Sequence, residues 1–519
     1  MRARVAWLLG AMSLAGCVEK TVPIEGLYCD ATTPCRDASQ VCLLEFKVCV
    51  VPDGGNRTDM GLDADMTPAG CSSSSECTAA TPICASMSCR ACAGAADDAQ
   101  CAVHNSTTPR CGSAGQCVAC RSDTQTTDCT SATAPICGAN NTCRGCQLNS
   151  ECTSGICKAD GTCAADSEII FVNNGSTSGC QAAGPGTRAM PFCEIQPGAL
   201  AAITASKPFV LVAGSATAYT TAVNLTTVSA TIASLTILGP GRSASPTARL
   251  APSIVGNAFA LSTTGNPATV VIDGLELVGQ GAGSSGIRCS MTSGAANLTI
   301  RNSLIRQSGG PGIDSNSCAV TLAQSVVTGN AGGVALNGGT NTISQSTISA
   351  NTSGGLSITG GVFVVENNFI VDNSGSAPGV SFSGSPAPAS RFRFNTVAGN
   401  KRSGTNEGGI ICPGGGDPFV VEHSIVFLND KKSMRSVVGN CSLVDSFIDD
   451  TPTPAGGNFS SDPKFVDSSA SNYRIQSSSP AKDKVAGPGN PAFPTVDVDG
   501  NPRPRPAGGS WDIGAFEAQ

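Results

Sequence analysis

Apolar residues return at fixed positions in six segments of eleven residues each. The segments begin at Leu298, Val320, Asn341, Phe363, Ser390 and Phe419, so the last two intervals are longer than the first three. Their third residues are Ile300, Leu322, Ile343, Val365, Phe392 and Val421, and their eighth residues are Ile305, Val327, Ile348, Ile370, Val397 and Val426. Their last residues are Ser308, Asn330, Asn351, Asn373, Asn400 and Asn429. Short apolar runs punctuated by turn-forming residues predict short strands joined by tight turns.

A second signature, a glycine followed by an aliphatic residue, opens a further short strand once per repeat. It occurs at Gly286-Ile287, Gly312-Ile313, Gly333-Val334, Gly355-Leu356, Gly379-Val380 and Gly409-Ile410. Each repeat is therefore predicted to hold two or three short strands whose apolar columns stay in register. The two longer intervals indicate loop insertions that leave the repeat intact. Only 4% of residues are aromatic and 13% charged, and the 61 glycines suit turns better than helices.

This pattern resembles the right-handed parallel β-helix repeat of the pectate-lyase-like superfamily, in which like residues stack about 4.8 Å apart on successive rungs. The segment F-V-N-N-G-S at Phe171 resembles the opening of bacterial β-helix surface proteins. The segments D-V-D-G-N-P-R-P at Asp497 and D-I-G-A-F-E at Asp512 resemble their terminal segment. The resemblance covers roughly residues 169–519 and implies an all-β fold, a right-handed parallel β-helix preceded by small disulfide-rich repeat modules. It also implies that the terminal segment caps the last rung.

The N-terminus has the organisation of an export signal. Arg2 and Arg4 precede a short apolar stretch that ends in Leu14-Ala15-Gly16-Cys17. The sequence L-A-G-C resembles the bacterial lipobox, which implies cleavage before Cys17 and a lipid on that cysteine. We therefore expect an exported protein anchored through lipid to the cell envelope, at the outer membrane or cell surface. A plain secretory signal with an incidental cysteine is the alternative.

The cysteine count supports export, because 26 of the 27 cysteines remain once Cys17 carries lipid, and they fall in even blocks. The blocks are Cys29, Cys35, Cys42 and Cys49; the sixteen from Cys71 to Cys163; Cys180 with Cys193; Cys289 with Cys318; and Cys412 with Cys441. Even blocks in an exported chain favour disulfides closed within each block. The C-x2-C pairs, such as Cys89/Cys92, are also compatible with zinc, but we favour disulfides. The spacing leaves the pairing from Cys71 to Cys163 open.

The late cysteine pairs invite a more specific hypothesis. Cys289 and Cys412 each lie three residues after a turn glycine, and Cys318 and Cys441 follow them at one and the same separation. That separation equals the longest interval between successive segments, from Ser390 to Phe419. Because one coil returns the chain to the same side one rung higher, we predict rung-to-rung bridges for Cys289–Cys318 and Cys412–Cys441.

These features divide the chain into six segments. They are a signal peptide (1–16), a lipid anchor with a four-cysteine module (17–50), an acidic Gly/Asp linker (51–70), cysteine-rich repeats (71–165), a parallel β-helix (166–465) and a C-terminal cap segment (466–519). The formal charge is −7 and no basic patch stands out in the sequence, which argues against nucleic acid as a partner. We expect neither a cofactor nor a metal site, since disulfides are the favoured interpretation of the C-x2-C pairs.

Catalytic candidates are sparse. The densest acidic stretch of the β-helix holds Asp445, Asp449 and Asp450. The only histidine of the β-helix is His423. The carboxylate sets of β-helix hydrolases (N-T-D, D-D and R-I-K, in order) are missing. The fourth position of the repeat instead alternates in charge and is expected to form a solvent-facing ladder of ion pairs. That column reads Asp273, Arg301, Ala323, Ser344, Glu366, Arg393, Glu422 and Asp445.

Two functions stay open at this stage. The sequence favours a rigid structural or binding module for glycan or another envelope component. The alternative is a polysaccharide-active enzyme, either a lyase or a glycoside hydrolase. The expected partners are the membrane, through the lipid, and a polysaccharide or an envelope protein.

Overall fold

The computed structural model describes residues 41–43, 48–50, 70–226, 233–264, 268–293, 296–404, 406–486 and 493–519. The chain divides into two compact units, Met1–Ala119 and Cys120–Gln519. The anchor at Cys17, the linker, and Cys29 and Cys35 lie outside the described residues, as do the side chains of Cys42 and Cys49. Predictions made for them stay predictions. None of the helices in the described ranges is long and apolar enough to cross a bilayer.

The cysteine-rich region consists of four modules with one disulfide pattern, in which the first cysteine pairs with the third and the second with the fourth. The bridges are Cys71–Cys84, Cys77–Cys89, Cys92–Cys111, Cys101–Cys117, Cys120–Cys137, Cys129–Cys143, Cys146–Cys157 and Cys152–Cys163. Each C-x2-C pair therefore joins consecutive modules, since its two cysteines belong to different ones. The sixteen sulfurs form these eight disulfides, so none of them is a free thiolate that could bind zinc.

Each module places its third and fourth cysteines opposite each other on a small antiparallel pairing, as in Cys84 with Cys89 and Cys111 with Cys117. The backbone of Cys42 faces that of Cys49 in the same way. The hairpin strands are Val41–Leu43 with Val48–Val50, Ile83–Ala85 with Ser88–Arg90, Arg110–Cys111 with Cys117–Val118, and Ile136–Cys137 with Cys143–Arg144. The helical turns are Ser74–Glu76, Ala95–Asp97, Asp98–His104, Ser122–Thr124, Gln125–Asp128, Asn149–Glu151 and Asp166–Glu168. Units this small bury little apolar surface, so the crosslinks replace a core.

The rest of the second unit is a parallel β-solenoid of three sheets, as predicted. Sheet 1 has eleven strands: Ile169–Val172, Phe209–Val212, Leu235–Leu238, Ala268–Asp273, Ala296–Arg301, Ala319–Ala323, Thr340–Ser344, Val362–Glu366, Arg391–Arg393, Phe419–Glu422 and Cys441–Val444. Sheet 2 has nine: Ala248–Leu250, Leu275–Leu277, Leu304–Arg306, Val326–Thr328, Thr347–Ser349, Phe369–Val371, Thr396–Ala398, Ile425–Phe427 and Phe447–Ile448. Sheet 3 has nine: Val223–Leu225, Phe259–Thr264, Ile287–Ser293, Pro311–Asn316, Gly332–Asn337, Leu356–Thr359, Val380–Ser383, Ile410–Ile411 and Val437–Val438.

The predicted columns coincide with the observed register. The third-position residues pair on sheet 1, as in Ile300 with Leu322, and the eighth-position residues pair on sheet 2, as in Ile305 with Val327. The glycine signature opens the strands of sheet 3. These apolar columns form one continuous core along the solenoid. The helix Ile195–Thr204 adds Ile195, Ala199 and Ala202 to that core beside the first strands, because residues three and four apart share a helix face.

Two buried ladders of polar side chains run along the corners of the solenoid. At the corner after sheet 2, each side chain accepts a hydrogen bond from the backbone N–H one rung before it: Ser308, Asn330, Asn351, Asn373, Asn400 and Asn429. At the corner between sheets 1 and 2 a second ladder does the same: Ser303, Ser325, Ser346, Asn368, Asn395, Ser424 and Ser446. The first ladder consists of the last residues of the six repeat segments, whereas the residues of the second are not marked by the repeat. Both satisfy backbone groups that the tight corners would otherwise bury unpaired.

The late cysteines are joined as Cys180–Cys193, Cys289–Cys318 and Cys412–Cys441. The geometry of Cys289–Cys318 differs in one respect from the hypothesis. The residue directly above Cys289 is Ser315, whereas Cys318 lies three residues further on, at the next corner. The bridge therefore ties a strand of sheet 3 to the following corner on the next rung. Cys289 and Cys318 are both fully buried.

Residues 465–486 and 493–519, which we call the strap, pack along the outer face of sheet 2. The strap begins with the antiparallel strands Phe465–Asp467 and Asn472–Ile475, joined by the turn Ser468–Ala470. Its apolar residues, among them Tyr473, Trp511 and Ile513, meet outward-facing residues of sheet 2 and its corner: Phe369, Val371, Phe394, Ala398, Ile425 and Phe447. The expectation that residues 466–519 cap the final rung is thus wrong in placement. The strap instead packs on the side of the solenoid, where apolar side chains point outward on several rungs.

The D-V-D-G-N-P-R-P and D-I-G-A-F-E segments form the buried anchor of the strap. The fully buried Arg503 guanidinium donates to Glu517 Oε2 at 2.9 Å, to Asn367 Oδ1 at 2.6 Å and to the Asp512 carbonyl at 2.6 Å. Burial, together with the neighbouring Glu517 carboxylate, raises the pKa of Asp512 to about 7. Since Asn367 belongs to the solenoid, this network fixes the strap to it.

The ladder at the corner after sheet 2 yields a stability prediction. Asn351 is fully buried, accepts from Asn330 and donates to the Val327 carbonyl and to Asn373. We expect Asn351→Ala to lower the free energy of unfolding in urea by about 2–4 kcal/mol, because it leaves several buried partners unpaired. The control is Asn337→Ala, which removes one exposed hydrogen bond to Asn316 and should cost under about 1 kcal/mol. Equal losses for both variants would contradict the role of the ladder.

Candidate functional site

The corner between sheets 1 and 2, here called the first corner, places one residue per rung in the left-handed backbone region. These residues are Gly274, Asn302, Gln324, Gln345, Asn367, Phe394, His423 and Asp445, with φ from 44° to 73°. Left-handed backbone is costly for most side chains, so the corner geometry imposes this conformation. Their side chains lie outside the core, and they differ along the solenoid in what they contact.

The strap covers the middle of the first corner. Gln345 Nε2 donates to the Asp497 carbonyl at 3.2 Å, and Asn367 Nδ2 donates to the Val496 carbonyl at 2.6 Å. Two aromatic rings follow on the next rungs, where Phe394 and His423 lie 5.2 and 5.5 Å from the ring of Phe493. The corner thereby provides the seat for the strap.

His423, a catalytic candidate from the sequence, belongs to this aromatic contact. Its backbone carbonyl accepts from Gly514 of the strap at 2.9 Å, and its Nδ1 is buried without a hydrogen-bond partner among the described residues. Burial lowers its pKa, which favours the neutral ring. It packs under the strap and, within the described chain, no carboxylate is hydrogen-bonded to its ring, so its geometry is structural.

The three acidic candidates do not converge either. Asp450 is buried and accepts from the backbone and hydroxyl of Ser436 at 2.6 and 2.9 Å. Asp449 accepts from the backbone N–H of Leu428 at 2.9 Å and pairs with Lys431 at 3.1 Å, while burial raises its pKa. Asp445 is exposed at the first corner. Two of the three therefore support the backbone of the preceding rung.

The predicted charge column needs two corrections. Arg301 with Asp273 and Arg393 with Glu366 are in register and form ion pairs of 2.7 and 3.1 Å. The residue that aligns with Glu422 is Val444, so Asp445 falls at the corner and outside the column. The Arg393 side chain is only 10% exposed, and its guanidinium lies 5.4 Å from the Phe493 ring. The column thus faces solvent at Arg301 and is covered by the strap at Arg393.

Towards its N-terminal rungs the first corner is open and forms one wall of a cleft. The opposite wall is the fourth cysteine module, which belongs to the same compact unit. The cleft consists of two adjoining hollows of about 570 and 650 Å³ that share Leu148, Asn149, Asp273 and Asn302. Its apolar lining includes Phe171, Leu211, Leu238 and Pro240, and its polar lining includes Gln147, Lys158, Arg188, Arg301 and Gln324. Concave surfaces of this size, mostly apolar with a few convergent polar groups, are typical of ligand sites.

The charged groups of this cleft are already paired. Arg301 lies 2.7 Å from Asp273, Arg188 lies 3.0 Å from Asp166 and Lys158 lies 3.4 Å from Glu168. The side-chain amides of Asn302 and Gln324, in contrast, make no hydrogen bond within the described chain, and both residues are exposed. The cleft therefore presents free amide donors and acceptors beside an apolar wall, with little net charge.

The sequence did not reveal this cleft. Asn302 and Gln324 occupy the fifth position of the repeat, which is not one of its recurring apolar positions. A signal was present, because the position directly after each sheet 1 strand carries polar or aromatic residues in every repeat from Asn302 to His423. Module four, which completes the cleft, has no counterpart in that repeat.

Comparisons with known proteins bear on both parts of the chain. A model of a right-handed β-helix region matches residues 270–429, so the chain contains such a region. A model of a family of unknown function, DUF8331, matches residues 58–170, which include the cysteine modules. The crystal structure of pectate lyase Pel9A aligns with 68% of this chain and 100% of its own, at 13% identity and a TM-score of 0.32. No curated protein matches the chain.

The covered charge column generates a prediction. Arg393→Glu places a buried acid next to Glu366, and we expect it to lower the free energy of unfolding by about 3–5 kcal/mol with little dependence on salt. The matched control is Arg301→Glu beside Asp273, because the Arg301 side chain is 51% exposed. It should cost about 0.5–1 kcal/mol, with a loss that shrinks at high salt. Urea unfolding at low and high salt measures both, and equal salt dependence would contradict the burial of Arg393.

Proposed function

We propose that this protein is an exported, lipid-anchored envelope protein whose cleft binds a neutral carbohydrate. The observation that carries the proposal is the pair of free amides, Asn302 and Gln324, beside an apolar wall. The three cations that line the cleft, Lys158, Arg188 and Arg301, are all paired. Amides both donate and accept, which matches sugar hydroxyl groups. Leu148 and Pro240 offer apolar surface to the C–H faces of a sugar ring. An acidic sugar would need an unpaired cation, and each cation that lines the cleft has a carboxylate partner.

The cleft favours binding over catalysis. Glycoside hydrolysis usually requires two carboxyl groups about 5–9.5 Å apart. Asp273 is the one carboxylate among the residues that line the cleft, and Arg301 holds it. The four catalytic candidates from the sequence lie at other rungs: Asp449 and Asp450 accept backbone hydrogen bonds, His423 packs under the strap and Asp445 is exposed.

Export and lipidation rest on the N-terminal sequence and the disulfides. The L-A-G-C segment before Cys17 resembles a lipobox, and the disulfides of the modules require an oxidising compartment to form. The lipid on Cys17 would attach the chain to the outer membrane or cell surface. There the cleft would meet envelope or extracellular glycans.

Binding by the cleft is testable with oligosaccharides. We expect titration calorimetry against neutral and acidic oligosaccharides to detect a neutral ligand, with an affinity that salt hardly changes. Gln324→Ala should weaken binding roughly fivefold, since one lost hydrogen bond is worth about 1 kcal/mol. Ser150→Trp should weaken it roughly tenfold or more, because the indole fills the cleft. Asn337→Ala, outside the cleft, should bind normally. Salt-sensitive binding of acidic sugars alone, or binding that is unaffected by both cleft variants, would refute the proposal.

Lipidation is testable by fractionation of the producing cells. Cys17→Ser should leave the chain unprocessed or release it from the membrane fraction, because the residue that would carry the lipid anchor is gone. Metabolic labelling with a fatty-acid analogue should mark the wild-type chain and not the variant. A variant that stays in the membrane fraction at unchanged size would disprove the lipobox interpretation.

A further inference from the structure

Two short basic segments are stacked on consecutive rungs near the C-terminal end of the solenoid. Lys401 and Arg402 follow Asn400, while Lys431 and Lys432 follow Asn429 and Asp430, and the amides of Asn400 and Asn429 stack at 2.9 Å. Because stacked asparagines fix the register, the residues after them come to the same corner. The cluster is inconspicuous in the sequence, since a whole coil of the solenoid separates its two halves.

A two-residue turn projects from this cluster. The backbones of Lys432 and Arg435 exchange hydrogen bonds of 3.0 Å, and Ser433 and Met434 between them have φ of 52° and 63°. Met434 at the tip is 63% exposed and Leu428 at the base is 49% exposed. We call residues 428–435 with Lys401 and Arg402 the basic turn.

The acids near the basic turn leave three of its cations unpaired. Asp430 accepts from the Arg402 backbone, Asp449 pairs with Lys431, and Glu407 lies 4.0 Å from Arg402. Lys401, Lys432 and Arg435 are exposed and have no ion pair within the described chain. A chain of net charge −7 thus carries a local positive surface with two exposed apolar side chains.

Asp449 and Asp450 hold this turn rigid. Asp449 accepts from the Leu428 backbone at one end, Asp450 accepts from the Ser436 backbone at the other, and the Thr451 backbone donates to the Met434 carbonyl at 3.1 Å. The exposure of Met434 is therefore imposed by the fold. A rigid apolar tip between cations is an arrangement that suits an anionic lipid–water interface, where methionine enters the headgroup region and lysine and arginine meet phosphates.

We propose that the basic turn docks on an anionic lipid surface, with Met434 inserted and Lys401, Lys432 and Arg435 against the headgroups. An anionic polysaccharide would also attract the cations, but it would gain nothing from the exposed Met434 and Leu428. The exposed side chains of Met434 and Leu428 therefore favour a lipid surface over a polysaccharide. Such docking would add a second attachment to any lipid on Cys17, at a distant point in the sequence.

The test is sedimentation with vesicles, using the full-length chain with Cys17→Ser so that no acyl group on that residue contributes. We expect binding to phosphatidylglycerol vesicles and little to phosphatidylcholine vesicles. Lys432→Glu/Arg435→Glu should weaken binding at least tenfold, since each cation near a charged bilayer contributes about a factor of five. Met434→Ser should weaken it several-fold. Lys464→Glu/Lys484→Glu makes the same charge change directly before the strap and within it, and should bind like the parent chain.

Several outcomes would overturn the proposal. They are equal binding to both kinds of vesicle, equal loss in the two charge-reversal variants, or no effect of Met434→Ser. Binding to a soluble anionic polysaccharide that depends on Lys432 and Arg435 but ignores Met434 would reassign the turn to a polyanion. Thermal unfolding of each variant should match the parent, because the altered side chains are exposed.

Discussion

Hydrogen bonds from the backbone N–H groups of one rung to polar side chains of the next are the interaction on which the rest of the structure depends. Each corner turns too sharply for the strand ladder to continue, so the backbone N–H groups there need another acceptor. Ser303 through Ser446 on one corner and Ser308 through Asn429 on the other supply it. Because every ladder residue is paired with the next rung, a shift of register would leave a whole series unpaired. The ladders thereby fix which residues share a column.

The fixed register lets a single column serve three purposes. At the first corner, Asn302 and Gln324 face the cleft, Gln345 and Asn367 bind the strap, and Phe394 and His423 pack under it. The left-handed backbone directs each of these side chains away from the core, so they vary without disturbing it. The solenoid therefore behaves as a scaffold on which corner residues and attached segments form the surfaces.

The sequence predicts the solenoid well because apolar columns report register directly, and Ile300 above Leu322 follows from their spacing alone. Charge alone aligns Asp445 with Glu422, one position off, whereas the ladder serines Ser424 and Ser446 give the true alignment. The sequence predicts an end cap where the strap lies, since outward-facing apolar residues such as Phe369 and Phe447 look like core residues in sequence. The cleft could not be predicted, because its walls come from a cysteine module and from rungs far along the chain.

The acidic residues show why a count of carboxylates misleads in this fold. Asp449, Asp450 and Asp512 all accept backbone N–H bonds, and Asp273, Glu366 and Glu517 all face arginines. Their charge is compensated locally, as buried or half-buried carboxylates require. The cations of the basic turn that lack such partners are therefore the more informative charges. Among the described residues of this acidic chain, Lys401, Lys432 and Arg435 face outward without an ion pair, as the cleft amides Asn302 and Gln324 do without a hydrogen bond.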